Sequence, residues 1–149
     1  MISFDSNILV YAADNSAGER HVRAVDLITR SIRRGNCVQT LQSLGEFFSV
    51  VTRKAGIPAA AAAAFVEGWT AVTLVEASTT ADLSDAIRAA REHHLAFWDA
   101  VLWATIRRIG VQILITEDFQ DGRTLDGVRF VDPFVARNAA FIDQLLPPE

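Results

Sequence analysis

The sequence predicts an α/β fold in which a parallel β-sheet carries helices on both faces. Short apolar segments alternate along the chain with longer segments of helical periodicity. Strands that are separated by helices pair in parallel through crossover connections. No Gly-, Ser- or Pro-rich linker interrupts this alternation. We therefore expect residues 1–149 to form a single domain, which suits a chain of 149 residues.

Five segments are predicted as strands, because each is a short, mainly apolar run that ends at a polar or turn-forming residue. They are Ile2–Phe4, Cys37–Thr40, Val72–Val75, Val111–Thr116 and Val128–Val131. The fourth strand leads directly into an acidic segment, Glu117 to Asp121.

Seven segments between and after these strands are predicted as helices. The second is the clearest, because Val22, Val25, Ile28 and Ile32 repeat at helical spacing and Gly35 follows its end. The predicted helices are a short one from about Asn7, Gly18–Arg34, Leu41–Lys54, one that begins at Pro58, one from the segment STTADLSDA to about His94, Trp98–Gly110 and Asn138–Leu146.

Composition and charge exclude several classes of protein. Half of the residues are hydrophobic and 21% are charged, which favours a packed core over disorder. The net charge of -4 argues against a surface that binds nucleic acid by charge alone, although a bound divalent cation can reverse the local field. The single cysteine, Cys37, excludes an intrachain disulfide and a cysteine-rich zinc site.

The chain carries no recognisable membrane or export signal. Its N-terminus has no basic region and holds Asp5 where a signal peptide would be apolar. The longest apolar run, Ala59 to Val66, is far shorter than the ~20 residues that span a bilayer. We therefore expect a soluble, cytoplasmic protein with no membrane partner.

Acidic residues follow two of the predicted strands. Ligands of open parallel sheets bind beyond the carboxyl ends of the strands, and Asp5 and Asp118 both lie there. Local sequence also offers structural roles, since Asp5 could cap the following helix and Asp118 or Asp121 could stabilise a turn. The position at the sheet edge makes these acids candidate site residues.

Asp99 is harder to explain by structure alone. Leu102, Trp103 and Ile106 follow it at helical spacing, so its carboxylate lies on the apolar stripe of its helix. Burial of a carboxylate without a partner is costly. The helix dipole favours an acid in the first turn by only ~0.3–1 kcal/mol and does not explain one on the buried face. Function is the better explanation for Asp99.

Glu46 is the weaker candidate by spacing, because it falls outside the apolar arc of its helix. That arc is formed by Leu41, Leu44, Phe48 and Val51.

If three or four such carboxylates converge, they repel one another and their pKa values rise. Mg²⁺ or Mn²⁺ removes this repulsion, and such ions activate water and stabilise charge on a phosphodiester.

Several segments together resemble the successive motifs of a known family, the PIN domain. They are ISFDSNILVYA, TLQSLGEFFSVVTRK and LAFWDAVLWATIRRIGVQILITEDFQDGRTLDGVRFVDPF. The resemblance is closest to the toxin ribonucleases of bacterial VapBC toxin–antitoxin systems. It implies that Asp5, Glu46, Asp99 and Asp118 together hold Mg²⁺ or Mn²⁺, with Glu46 orienting a metal-bound water or acting as base.

The same resemblance implies a three-layer sandwich with a five-stranded sheet in the order 3-2-1-4-5. It further implies endonucleolytic cleavage of RNA, a VapB-like antitoxin that covers the acidic pocket, and a homodimer. Asn7 and Thr116 match polar positions that support the acids or a metal-bound water, and Asp121 matches an acid in some relatives. Asp132 replaces an Asn that is frequent in relatives, and we expect it to matter more to structure than to catalysis.

Three alternative functions fit parts of the sequence. A PIN-like nuclease could act in RNA processing or on structured DNA without an antitoxin. A signalling receiver domain needs paired acids after the first strand and a lysine after the last, and FDSN and RFVDPF supply neither. An inactive RNA-binding module is disfavoured, because all four acids are present and the chain is acidic.

Some residues have both a functional and a structural interpretation. The candidate phosphate contacts Arg20, Arg23 and Arg123 are explained at least as well as solvated surface residues. The adjacent His93 and His94 are more typical of a solvated helix end than of metal ligands. Tryptophans can stack on bases, but at helical positions they more often lie in a core or a dimer surface. The three are Trp69, Trp98 and Trp103.

Overall fold

Six strands form one sheet in the computed structural model, which describes residues 1–148. They are β1 (Ile2–Phe4), β2 (Cys37–Thr40), β3 (Leu74–Glu76), β4 (Ile113–Ile115), β5 (Thr124–Leu125) and β6 (Val128–Val131). The spatial order is β3-β2-β1-β4-β6-β5, and every pair except β5–β6 is parallel. The predicted order 3-2-1-4-5 is therefore confirmed for the five predicted strands, the fifth of which is β6.

The sequence pattern does not predict β5, which pairs antiparallel with β6. Asp126 and Gly127 connect the two strands with φ values of 45° and 84°. An Asp-Gly pair is the preferred connection of a two-residue hairpin, because both positions need positive φ. A strand of two residues is too short to show any alternation in the sequence.

Seven α-helices are present within residues 1–148. They are α1 (Ser6–Ala13), α2 (Glu19–Arg33), α3 (Leu41–Arg53), α4 (Ala59–Val72), α5 (Thr80–His93), α6 (Phe97–Arg108) and α7 (Ala139–Leu145). Short 3₁₀ turns span Asn15–Ala17 and Ala136–Asn138. Val72 belongs to α4 rather than to the third strand, because the Thr73 amide continues the helical hydrogen bonding to the Trp69 carbonyl. Among the described residues, no helix is both long and apolar enough to cross a membrane.

The sheet separates two hydrophobic cores, which gives the expected three layers. Ile113 and Ile115 face a core that they share with α1, α2, α3, α4 and α7. Leu114, one residue out of phase, faces a second core that it shares with α5 and α6. Trp103 is buried in the second core, whereas Trp98 is 63% exposed.

The predicted buried faces of α2 and α3 are partly wrong. Val22 and Leu41 are 67% and 57% exposed, although the helical spacing places each on an apolar stripe. The residues that are buried instead include Leu27 of α2 and Phe47 of α3. Both helices also bury a serine, which a count of apolar residues alone does not include.

Candidate active site

Asp5 is fixed between the ends of β1 and β4. Its backbone amide donates to the Ile115 carbonyl at 3.0 Å, and the residue is only 4% exposed. One carboxylate oxygen accepts the Ser6 amide at 2.7 Å, so Asp5 does cap α1. The other oxygen accepts the Thr116 hydroxyl at 2.8 Å. The cap interaction therefore occupies one oxygen of a carboxylate that is also buried at the edge of the sheet.

Thr116 and Asn7 connect Asp5 to Asp118. Thr116 is buried directly after β4, and its Oγ1 accepts the Asp118 amide at 3.1 Å. The Asn7 amide nitrogen donates to Asp118 Oδ2 at 2.9 Å and lies 3.5 Å from Thr116 Oγ1. Asp118 itself is exposed. The two polar residues that the family resemblance marks as supporting are therefore in contact with the acids.

Glu46 is half-buried and close to Asp5, although its spacing favoured a solvated face. Its Oε2 accepts the Ser6 hydroxyl at 3.0 Å, and Ser6 is the residue that Asp5 caps. Its Oε1 accepts the Gln42 side-chain amide at 2.8 Å, and that amide also donates to the Trp98 carbonyl at 2.9 Å. Ser6 and Gln42 position Glu46, and neither is predicted as a site residue from the sequence; the i, i+4 spacing of Gln42 and Glu46 is the available signal.

Asp99 lies in the first turn of α6, and its side chain is half-buried. The three residues that define its apolar stripe, Leu102, Trp103 and Ile106, are all buried, as predicted. Among residues 1–148, no side chain forms a hydrogen bond or ion pair with the Asp99 carboxylate. Burial, together with the negative charges of Asp118 and Glu46, raises the pKa of Asp99 to about 6.

The pKa of Asp5 is also raised to about 6. Burial is the main cause, and the charges of Asp99 and Asp118 add to it, while the hydrogen bonds from Thr116 and Ser6 oppose it. The carboxylates of Asp5, Asp99, Asp118 and Glu46 thus act on one another electrostatically. The structure brings all four together at one edge of the sheet.

The chemistry of these residues fits a hard divalent cation. Carboxylate oxygens are the donors that Mg²⁺ and Mn²⁺ prefer, and a cation would relieve their mutual repulsion. The side-chain oxygen of Asn7 is buried without a hydrogen-bond partner beside Asp118. Among residues 1–148, however, the acids do not form a preassembled group of three or more metal-ligating side chains. A cation would draw them together.

Asp121 belongs to a different set of contacts. It accepts the Asp132 amide at 2.9 Å and the Asn138 side-chain amide at 2.7 Å, and it pairs with Arg137. Burial opposes ionisation of Asp121, but these three hydrogen bonds lower its pKa below the ordinary value. Asp132 in turn accepts the Phe134 amide at 2.8 Å. These contacts hold the connection between β6 and α7.

Glu117 joins the segment that carries Asp118 to α1 and α2. The Tyr11 hydroxyl donates to Glu117 at 2.5 Å, and Arg20 forms an ion pair with the same carboxylate. The Arg20 guanidinium also lies 4.4 Å from the centre of the Phe134 ring. Arg20, a candidate phosphate contact by sequence, is therefore already engaged with a carboxylate.

A cavity of about 570 Å³ opens beside the acids. The cavity is lined by residues 92–96, Asp99, residues 118–120 and Arg123. His94 ends α5 in the left-handed conformation with a φ of 57°. The cavity offers space for a substrate that reaches Asp99 and Asp118 from solvent.

The chain matches a protein family model and solved structures. The PIN domain family model matches residues 2–121. The crystal structure of Mycobacterium tuberculosis VapC20, a toxin that cleaves the sarcin-ricin loop, has a TM-score of 0.66 and 26% sequence identity. That match covers 79% of this chain and 90% of VapC20.

A second structure, PAE2754 from Pyrobaculum aerophilum, has a TM-score of 0.61 and 20% identity. The match covers 93% of this chain and 95% of PAE2754, and at this identity it shows similarity of fold alone. No curated protein sequence gives a significant match. Because the family model spans 120 of the 149 residues, from residue 2 to residue 121, this chain belongs to the PIN domain family.

Proposed function

We propose that this protein is a metal-dependent endoribonuclease and the toxin of a type II toxin–antitoxin system. One observation carries the nuclease proposal. The buried Asp5 is joined through Thr116 and Asn7 to Asp118 at the carboxyl edge of a PIN-domain sheet. Asp99 and Glu46 share the electrostatic field of that site.

In this proposal Asp5, Asp99 and Asp118 hold Mg²⁺ or Mn²⁺, directly or through water. When bound, the cation supplies the Lewis acidity that activates water and neutralises charge on a phosphodiester. Thr116 and the Ser6 amide fix the Asp5 carboxylate, and Asn7 orients Asp118. These hydrogen bonds limit the orientations that the two carboxylates can adopt before a cation binds.

Glu46 is the proposed proton acceptor or water-orienting group. The Ser6 hydroxyl and the Gln42 amide each donate to one of its oxygens, so the carboxylate has a defined orientation. A carboxylate held in this way can accept a proton from a water that attacks the phosphorus. Replacement of Glu46 by Gln would preserve its shape and remove this basicity.

The proposal that the substrate is RNA and the partner an antitoxin rests on similarity to VapC20. The two chains are 26% identical, and the match covers 90% of VapC20. We extend the proposal to a VapB-like antitoxin, a homodimeric toxin and a cytoplasmic location. The single-domain organisation expected for residues 1–149 is part of the same proposal.

The nuclease proposal is tested by incubating the purified protein with RNA in Mg²⁺, in Mn²⁺ and in EDTA. We expect cleavage only with a cation, and a loss of at least about 100-fold in Asp5→Asn and Asp99→Asn, since both remove a proposed ligand. Asp143→Asn is the control, because Asp143 lies on α7 and pairs with Arg30. Wild-type rates in both site variants would contradict the acidic-site mechanism.

The toxin proposal needs a separate experiment. We expect expression of the wild-type chain to arrest bacterial growth, and Asp99→Asn to relieve the arrest. A short upstream reading frame that encodes a DNA-binding protein would support an antitoxin partner. Nuclease activity without growth arrest would contradict the toxin proposal and favour a PIN nuclease that acts in RNA processing or on structured DNA without an antitoxin.

A further inference from the structure

Arg123 is the arginine on the wall of the cavity that holds Asp99 and Asp118. A polyanionic substrate that enters this cavity meets several carboxylates, and the protein as a whole carries a net charge of -4. Even with cations bound to the acids, the phosphates on either side of the cleaved one need their own counter-charge. A basic group on the cavity wall can supply it.

The partners of Arg123 differ from those of most other arginines in the chain. Arg20, Arg107, Arg108 and Arg137 each form an ion pair with a carboxylate. Within residues 1–148, Arg123 forms no ion pair, not even with Glu92, which also lines the cavity. Its only side-chain hydrogen bond in that part of the chain goes from Nη1 to the His93 carbonyl at 3.1 Å.

This single hydrogen bond leaves most of the guanidinium free. A guanidinium has five N–H donors in a planar fork, and the fork matches two oxygens of a phosphate. The His93 carbonyl is uncharged, so it orients the group without neutralising it. Arg123 therefore presents a positive charge and unused donors at the cavity wall.

The backbone that carries Arg123 is held in place by the β5–β6 hairpin. The Phe130 amide donates to the Arg123 carbonyl at 2.9 Å, and the Gly122 amide donates to the Phe130 carbonyl at 2.9 Å. Gly122 has a φ of 80°, a conformation that favours glycine. The short antiparallel strand thus fixes the arginine at the cavity rather than leaving it on a loose loop.

We infer that Arg123 binds a phosphate of the substrate RNA next to the one that is cleaved, and so positions the strand across the acidic site. This inference rests on the proposed ribonuclease function. It makes Arg123 a substrate-binding residue and leaves the chemical step to the acids.

Three variants separate phosphate binding from a structural role. Arg123→Ala removes both the charge and the hydrogen bond to His93. Arg123→Gln removes the charge but retains a polar side chain with N–H donors, and Arg123→Lys keeps the charge without the planar fork. Arg53→Ala is the matched control, because Arg53 is exposed, lies outside the cavity and donates to the Ser49 carbonyl of its own helix at 3.1 Å. Thermal unfolding of each variant verifies that it is folded.

The measurement is steady-state cleavage of one RNA oligonucleotide in Mg²⁺ at several salt concentrations. We expect Arg123→Ala and Arg123→Gln to raise KM about 10-fold with kcat within about twofold of wild type, because one charge-assisted contact is lost. The slope of log KM against log salt should fall by about 0.7 to 0.9, as for one phosphate contact. The KM of Arg123→Lys should lie between those of wild type and Arg123→Ala. Arg53→Ala should have the KM and salt slope of wild type.

Two results would overturn the inference while leaving the nuclease proposal intact. One is a wild-type KM and salt slope in Arg123→Gln, which would show that the charge of Arg123 does not contribute to RNA binding. The other is a loss of kcat at unchanged KM and slope. If the wild-type protein neither cleaves nor, by fluorescence anisotropy, binds the RNA, the proposed function and the role of Arg123 are both overturned.

Discussion

The Thr116 hydroxyl donates a hydrogen bond of 2.8 Å to the Asp5 carboxylate, and both residues are almost completely buried. This contact joins the residue after β4 to the residue after β1, two neighbouring strands of the sheet. The same Thr116 oxygen accepts the Asp118 amide. One hydroxyl therefore couples the positions of two proposed metal ligands.

Thr116→Val removes this hydroxyl with little change in shape. We expect the free energy of unfolding to fall by about 1–2 kcal/mol, because a buried carboxylate and a backbone amide lose a partner. We also expect weaker Mn²⁺ binding, since the hydroxyl stabilises the ionised form of Asp5. Chemical unfolding and a Mn²⁺ titration measure the two effects.

Thr105→Val is the control for this variant. Thr105 is buried in α6, and its hydroxyl contacts Ser78 and the Val101 carbonyl, away from the acids. We expect a comparable loss of stability with unchanged Mn²⁺ affinity. Equal Mn²⁺ affinity in Thr116→Val and wild type would contradict the proposed role of Thr116.

Asn7→Ala should release Asp118 from its fixed orientation. Groups that orient metal ligands typically contribute 10–100-fold to metal affinity or activity, and we expect a loss of about that size in RNA cleavage. Asp118 is exposed, so water can replace the hydrogen bond from Asn7 and the change in stability should be small. Asn15→Ala, at an exposed position after α1, should cleave RNA like wild type. Full activity in Asn7→Ala would show that Asp118 does not need this contact.

The raised pKa values predict an unusual dependence of stability on pH in the absence of metal. Asp5 and Asp99 have pKa values of about 6 when folded, whereas an unperturbed aspartate has a pKa of about 3.9. Between about pH 4 and pH 6 the folded protein binds more protons than the unfolded chain, so these groups lower stability as the pH rises. For the buried Asp5 the full effect is on the order of 3 kcal/mol.

Thermal unfolding of wild type and Asp5→Asn in EDTA tests this. As the pH rises from 4 to 6, the Tm of Asp5→Asn should increase relative to that of wild type, because Asn cannot ionise. Near pH 7, Mg²⁺ should raise the Tm of wild type above that of Asp5→Asn, since a cation binds the ionised carboxylates. Parallel curves in EDTA would mean that Asp5 titrates normally.

Asp121→Asn should affect structure and not catalysis. Asp121 accepts hydrogen bonds from Asp132, Asn138 and Arg137, and it makes none to the four proposed ligands. We expect a loss of about 1–2 kcal/mol in the free energy of unfolding. RNA cleavage by the folded variant should equal that of wild type. A loss of more than about 10-fold would show that Asp121 contributes to catalysis.

Local conflicts in the sequence were enough to find part of the candidate site. Asp99 stood out because a carboxylate on an apolar stripe has no structural explanation, and Asp5 because it ends a predicted strand. Glu46 could not be found by periodicity, since the buried face of α3 runs through Ser43 and Phe47 and its own position depends on Ser6 and Gln42. Such contacts between distant segments leave no local pattern.

The fold was predictable to a similar extent and for similar reasons. The order of the five longer strands followed from the family resemblance, and the parallel pairing followed from the alternation of strands and helices. The hairpin strand β5 was missed because two residues show no alternation, although its Asp126–Gly127 turn was a signal. Without that hairpin the position of Arg123 on the cavity wall could not be derived.

Binding of Mn²⁺ tests the central claim, that the clustered acids hold a divalent cation, most directly. Titration of the purified protein near pH 7, with free Mn²⁺ measured by electron paramagnetic resonance, should show saturable binding to wild type and Asp143→Asn. Asp5→Asn and Asp99→Asn should each bind at least about 10-fold more weakly, because each loses a charged oxygen ligand. Wild-type affinity in both Asp5→Asn and Asp99→Asn would contradict the claim.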